Sequence, residues 1–329
     1  MKIHGYAALA PREPLRSFTY DAPPLEPFEI LIKITHCGLC HTDLHMIEDA
    51  WHRSTYPLLP GHEIIGTVVK KGSSAEVKLG KRVGVSWVAS ACLQCPQCLQ
   101  GDTNICPTKK GVYNNGRYGG FADHVVIDSR FAFPIPEGID SAHAAPLLCA
   151  GATVYAPLHR HPILPSHAVG IIGIGGLGHL ALQFYHAYGC EVSAISSTPS
   201  KEKEAKNFGA DHFYTWENPP SPFQFDFLLC TTDAPLDWNF VLTLLRPNGT
   251  LCLVSRPAGL TFDPTYLVST QRSICGSNNA NRSVMNEMLS FAARHKIKPK
   301  IELMPLAKIN EAIERVRTNS ARYRIVLHN

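Results

Sequence analysis

Four cysteines crowd into fifteen positions of the chain as Cys92-x2-Cys95-x2-Cys98-x7-Cys106. Four thiolates in one loop can occupy every position of a tetrahedral zinc ion, and such a closed set serves structure rather than catalysis. A nucleic-acid zinc module would need basic or aromatic residues between the cysteines to meet phosphates, and none cluster there. A second set of metal-binding residue types is dispersed over three segments: Cys37-Gly38-Leu39-Cys40-His41-Thr42-Asp43-Leu44-His45, Pro60-Gly61-His62-Glu63 and Leu148-Cys149-Ala150-Gly151. Catalytic zinc keeps three protein ligands, with two cysteines and one histidine among the known combinations, and leaves the fourth place to water or substrate. Spacing decides neither which cysteine of the first segment ligates nor whether the segments converge.

A third chemistry is written in Gly173-Ile174-Gly175-Gly176-Leu177-Gly178. Alone, that spacing is weak. A strand before it, a helix after it and a second strand beyond make it a dinucleotide fingerprint. The first glycine permits a tight turn, the second lets the backbone approach a pyrophosphate, and the third lets helix and strand pack closely. The helix N-terminus then meets the phosphate charge. Proteins that prefer NAD usually place an acid about 20 residues further on, to bind the ribose 2′-hydroxyl. From Val192 to Ser200 this chain has no acid, and Lys201 follows. A carboxylate there would repel a 2′-phosphate, whereas small hydroxyls and an ammonium would hold one by charge-assisted hydrogen bonds. The pattern predicts a preference for NADP(H).

The elements that must position these groups fall into two styles. Before about residue 150, β-rich runs at 29–35, 64–70, 82–86 and 123–128 are separated by Gly and Pro, which predicts a compact, mostly β unit. From residue 168 the rhythm becomes strand, helix, strand. Strands are expected at 168–173, 191–196, 212–215, 226–230, 250–255 and 273–276, with helices at 177–188, 201–208 and 236–245. That alternation implies a doubly wound parallel sheet. The tail offers helices at 282–295 and 308–318 and a strand at 323–327, and is expected to fold back onto the first unit. The domain reading is therefore 1–148, 149–281 and a returning segment 282–329.

Composition sets the outer bounds. The chain of 329 residues is 45% hydrophobic and 18% charged, which excludes general disorder. With 31 Lys+Arg against 27 Asp+Glu the net charge is +4, too weak and dispersed for a nucleic-acid binder. Stretches without strongly polar residues, such as 168–178, fall short of the ~20 that a membrane span needs. No secretory signal is legible at the N-terminus, so a cytoplasmic enzyme with reduced thiols is the expectation. Cys190, Cys230, Cys252 and Cys275 lie in or beside the predicted strands and read as small core hydrophobes.

Taken together, Cys40-His41-Thr42-Asp43-Leu44-His45, the run Pro60-Gly61-His62-Glu63-Ile64-Ile65-Gly66, the four-cysteine lobe, Leu147-Leu148-Cys149-Ala150-Gly151 and the glycine fingerprint resemble a zinc-dependent medium-chain alcohol dehydrogenase. Ile195-Ser196-Ser197 and the ending Ala321-Arg322-Tyr323-Arg324-Ile325-Val326-Leu327 make the chain most similar to the cinnamyl-alcohol-dehydrogenase-like branch. The resemblance implies a GroES-like catalytic domain joined to a Rossmann domain, two zinc ions per chain, and a homodimer. It implies that Cys40, His62 and Cys149 ligate the catalytic zinc, with Glu63 as the neighbouring carboxylate that can approach the metal. Asp43 then orients His62, and Cys37 is a packed thiol outside the ligand set.

By the same resemblance, Thr42 supplies the hydroxyl at the reacting oxygen and His45 the imidazole at the solvent end of a proton path. Ser196, Ser197 and Lys201 contact the 2′-phosphate, His41 lies near the cofactor phosphates, and Trp51 and Trp87 line the substrate pocket. Two indoles would favour an aromatic or elongated apolar aldehyde. The loop 113–120 looks shorter than its plant counterpart, so a broad aldehyde reductase is expected rather than a lignin-pathway enzyme. Two competing readings are an NAD-dependent polyol or secondary-alcohol dehydrogenase and a catalytically silent dinucleotide-binding protein. The intact Cys40, His62, Cys149 set and the Thr42–His45 pair argue against silence.

Overall fold

The computed structural model describes residues 1–113 and 116–329. Positions 114 and 115 of the loop just mentioned lie outside the described residues. The chain forms two compact units, one of residues 1–149 with 281–329, the other of residues 150–280.

In the first unit β1 (Lys2–Ala7) and β2 (Arg16–Asp21) form an antiparallel pair. The main sheet is built on β3 (Glu29–Leu39), β4 (Glu63–Lys71), β5 (Arg82–Val85), β8 (His124–Asp128) and β9 (Ala132–Pro134). Short β6 (Val88–Ser90) and β7 (Lys110–Gly111) pair beside the cysteine lobe. In β3, Ile30, Leu31, Ile32 and Ile34 are all buried. Fully burying such a side chain stabilises by about 1.5–3 kcal/mol, which makes β3 the spine of the unit. It runs four residues past the expected end because two further strands extend its ladder. One is β4, which pairs Glu63 with Gly38 and Ile64 with Cys37.

The second unit carries β10 (Ala168–Ile172), β11 (Glu191–Ser196), β12 (His212–Thr215), β13 (Phe225–Cys230), β14 (Leu245–Leu253) and β15 (Ser273–Gly276). The order β12-β11-β10-β13-β14-β15 is wholly parallel. It reverses direction between β10 and β13, the switch point at which doubly wound sheets bind dinucleotides. One boundary moved. The helix expected over 236–245 is Trp238–Thr243, capped by Asp237 accepting from the Phe240 amide at 3.1 Å. The chain then enters β14 at Leu245, which pairs with Phe225 before a register shift.

The tail runs through the helix Arg282–His295, β16 (Ile301–Pro305), the helix Ile309–Arg317 and β17 (Arg324–His328). β17 pairs with β3, setting Val326 against Gly38 and Ile325 against Leu39. β16 was not foreseen from its sequence. Ile-Glu-Leu-Met-Pro has little β pattern of its own, and it becomes a strand by adding to the free edge of β17.

Candidate active site and zinc centres

Where β3 ends, the chain turns at Cys40 into the helix His41–Ile47. The pairing of β3 with β4 sets His62 and Glu63 beside that turn, and β17 delivers Arg324 from the far end of the chain. Cys149 arrives on a widened helical turn, Leu147–Gly151, where Ser86 Oγ donates to the Leu148 carbonyl at 2.6 Å. Such π-type turns recur at functional sites because they re-aim a side chain. Ligand-type atoms of Cys40, His62, Glu63 and Cys149 all lie within 4.8 Å of one another.

Asp43 organises this cluster from below. It is fully buried, and its Oδ1 accepts from His62 Nδ1 at 2.9 Å, the Gly61 amide at 3.0 Å and the Tyr113 hydroxyl at 2.8 Å. Its Oδ2 accepts from the Cys40 amide at 3.0 Å. One carboxylate thus ties together two of the three dispersed segments and directs the other ring nitrogen of His62 away from itself. Burial works against a charged His62, but Asp43 and Cys40 together outweigh it and hold the imidazole pKa well above its ordinary value.

Glu63 and Arg324 form a buried ion pair, with 0% and 5% of their side chains exposed. Burial pushes the Glu63 carboxyl up to about 7, and the Arg324 guanidinium offsets that rise only in part. Gly38 makes the approach possible, since a Cβ there would stand 1.9 Å from Glu63 Oε2. Neither Tyr113 nor Arg324 was singled out for a role from the sequence. They lie 70 and 261 positions from their partners, so no local pattern could announce them.

These side chains fit zinc. His62 Nε2 and Glu63 Oε2 are buried with no hydrogen-bond partner among the described residues. Cys40 and Cys149 sulfurs stand 3.9 Å apart. Zinc–sulfur bonds of about 2.3 Å at tetrahedral angles separate two sulfurs by about 3.8 Å. The cysteine lobe passes the same test. Cys92 Sγ is 3.9 Å from Cys98 and 3.6 Å from Cys106, and the Cys95 amide lies 3.4 Å from Cys92 Sγ. Cys95 precedes the short helix Pro96–Leu99, which carries Cys98, and Cys106 closes the turn Thr103–Ile105.

Thr42 and His45 lie three apart on the helix His41–Ile47 and are both half-buried, while His41 is exposed. Residues at that spacing share a helix face. The His45 ring is 5.0 Å from Trp51, and Trp87 meets the His62 ring edge-on at 5.5 Å. The Arg53 guanidinium, which the sequence did not mark, lies 4.5 Å from the Trp51 ring and 5.9 Å from that of Trp87.

In the second unit, β10 turns at Gly173, whose φ is +90°, and the helix Gly178–Tyr188 follows. A Cβ on Gly178 would come within 2.0 Å of the Gly173 carbonyl, whereas one on Gly175 would meet nothing within 4 Å. The loop is thus tight where helix meets strand and open where a pyrophosphate would approach, as a dinucleotide requires. Ser196 is buried at the end of β11, with its Oγ accepting from the Thr198 amide at 3.1 Å, and Ser197 is exposed. Lys201 Nζ donates to the Ile174 carbonyl at 2.7 Å, which anchors the ammonium on the glycine loop.

Comparison with known proteins agrees with these two units. A family model described as the alcohol dehydrogenase GroES-like domain matches residues 26–137, and one described as zinc-binding dehydrogenase matches 176–294. An aldehyde reductase, AdhA, from Synechocystis is 40% identical over 99% of this chain and 98% of its own length. The solved cinnamyl alcohol dehydrogenase SbCAD4 of Sorghum bicolor superposes with a TM-score of 0.96 at 33% identity, covering 100% of this chain and 98% of its own. The Helicobacter pylori cinnamyl alcohol dehydrogenase, solved in complex with NADP(H), superposes with a TM-score of 0.94 at 28% identity over 99% of this chain and 98% of its own. The chain belongs to the zinc-dependent medium-chain alcohol dehydrogenases, in their cinnamyl-alcohol-dehydrogenase-like branch. It is an oxidoreductase of the aldehyde/alcohol kind.

Proposed function

We propose that the chain is an NADP(H)-preferring, zinc-dependent reductase of aldehydes with a broad substrate range, oxidising the primary alcohol back to the aldehyde when driven. The observation that carries this reading is the converging donor set of Cys40, His62, Glu63 and Cys149, in which one buried nitrogen and one buried oxygen have no hydrogen-bond partner among the described residues. Bound zinc would supply Lewis acidity toward the substrate oxygen, and bound nicotinamide would supply or accept hydride at the adjoining carbon.

The remaining work belongs to side chains. Cys40, His62 and Cys149 hold the metal, and Asp43 fixes the His62 ring so that Nε2 faces it. Glu63, restrained by Arg324, stands by as an alternative ligand. Thr42 relays the proton of a bound alcohol, its hydroxyl giving up one proton as it accepts another, and His45 passes the released proton to solvent, a task suited to a group whose ordinary pKa is ~6.5. Trp51 and Trp87 offer flat apolar walls that exclude water from the reacting carbon. Cys92, Cys95, Cys98 and Cys106 hold a second, structural zinc.

Preference for NADP(H) is supported by the acid-free stretch after β11, by the position of Lys201 on the glycine loop, and by the NADP(H) complex of the Helicobacter relative. His41, Ser196 and Ser197 complete the proposed phosphate contacts. The family resemblance further supports a homodimer. The deciding experiment is an aldehyde panel run with NADPH and NADH side by side. Turnover of several aldehydes with NADPH favoured is expected, and no turnover on any member would leave a silent dinucleotide-binding protein as the better reading.

A further inference from the structure

The second unit holds a cluster that the reaction does not use. Cys252 on β14 and Cys275 on β15 are register partners in parallel strands, so their side chains rise from the same face of the sheet. His161, just beyond the helix Pro157–Arg160, reaches over that face and puts Nε2 3.3 Å from Cys275 Sγ. The ligand-type atoms of all three residues lie within 4.8 Å of one another.

We propose that His161, Cys252 and Cys275 form a third metal site, for a thiophilic divalent cation of the zinc type. Zinc bonds of about 2.3 Å to sulfur and about 2.0 Å to nitrogen place tetrahedral ligand atoms about 3.5–3.8 Å apart, so the observed spacing needs adjustments of well under an ångström at the closest pair. Two thiolates and a neutral imidazole around a divalent ion sum to zero charge, which a largely buried site tolerates. Binding requires each thiol to release its proton to solvent, with the imidazole entering neutral. Cys252 is buried, but Cys275 and His161 are half-exposed and leave a way in for the ion and a way out for the protons.

A second observation points to the same place. The Tyr185 hydroxyl is fully buried on the helix Gly178–Tyr188 with no hydrogen-bond partner among the described residues, and its electrostatic neighbours are Cys252, Cys190 and Cys275. A buried donor without an acceptor is destabilising. A metal-bound thiolate is a far better acceptor than a thiol, and outer hydrogen bonds of this kind commonly support metal ligands. Three ligating side chains from three elements, with an unpartnered donor among them, are more than a core of small hydrophobes requires.

The test titrates zinc chloride, and separately cadmium chloride, into the intact holoenzyme and measures bound metal after desalting. The wild type should bind one equivalent per chain more than Cys252→Ser/Cys275→Ser, and cadmium should produce a thiolate charge-transfer band that the double variant lacks. His161→Gln should weaken that extra equivalent by roughly tenfold or more. A measurement on the wild type alone guards against misfolded variants: added zinc should protect the half-exposed Cys275 from alkylation, read by mass spectrometry. Equal stoichiometry in wild type and double variant, or alkylation of Cys275 unaffected by zinc, would overturn the proposal. So would a Cys252–Cys275 disulfide in protein isolated and handled without air.

Discussion

Asp43→Asn is the substitution in which the geometry makes its sharpest demand. The carboxylate accepts three hydrogen bonds on Oδ1 and one on Oδ2, each between 2.8 and 3.0 Å. Asparagine is isosteric but offers only one acceptor oxygen. Its best orientation keeps that oxygen toward Gly61, His62 and Tyr113 and turns the amide NH2 toward the Cys40 N–H. One buried donor then loses its acceptor, which costs about 1–3 kcal/mol, and the three bonds retained lose the assistance of the charge.

The stability loss should appear as a lower urea midpoint with an unchanged slope. Because the same residue sets the His62 ring and the start of the Cys40 helix, zinc affinity and kcat/KM should each fall about 10–100-fold, the usual effect of removing a hydrogen bond behind a metal ligand. Zinc affinity is measured by competition with a chelator. Tyr113→Phe is the internal control. It removes one donor and leaves the carboxylate with three, so its cost should stay within about 0.5–1.5 kcal/mol. Asp43→Asn protein with zinc affinity and turnover within about twofold of wild type would refute the reasoning, however its stability changed.

Cys149→Ser should abolish turnover and leave the fold largely intact, whereas Cys98→Ser should chiefly lower stability or solubility; metal analysis of active protein should find at least two zinc ions per chain, and one would refute the division of labour. Thr42→Ala should lower alcohol oxidation by about 10²–10⁴-fold and His45→Ala by ~10² or less, the range of single acid–base groups, and unchanged kinetics for Thr42→Ala would remove it from the mechanism. Arg324→Met leaves the Glu63 carboxylate buried without its partner and should cost about 3–5 kcal/mol by denaturant unfolding, much of it regained in Arg324→Met/Glu63→Gln. Lys201→Ala should raise KM for NADPH with little change in kcat, and Ser196→Asp should shift preference toward NADH. Uniform binding energy acts on KM, so a loss confined to kcat would contradict the assignment.

Periodicity and turn chemistry made most of the two units legible in advance. The glycine fingerprint between a strand and a helix, the β-branched runs at 29–35 and 64–70, and the six-strand rhythm after residue 168 are local patterns, and local backbone preferences are enough to announce them. The four-cysteine lobe was legible for the same reason, since one short loop holds all its sulfurs. What the sequence by itself determined was therefore the type of the elements with strong local patterns and the chemistry each short motif could perform.

Only the tertiary structure brought three dispersed segments to one point. That convergence depends on β3 pairing with β4 and β17, contacts between residues far apart in the chain, and on a buried carboxylate whose four donors come from three different places. Tyr113, Arg324 and β16 were invisible beforehand because each owes its role to a partner that folding supplies. Likewise, Cys252 and Cys275 read as ordinary strand residues until the register of β14 and β15 set them side by side and His161 came over them. Local propensity acts over a few residues, while burial, ion pairing and ligand geometry act through space, so the placement of a site is decided only when the chain closes on itself.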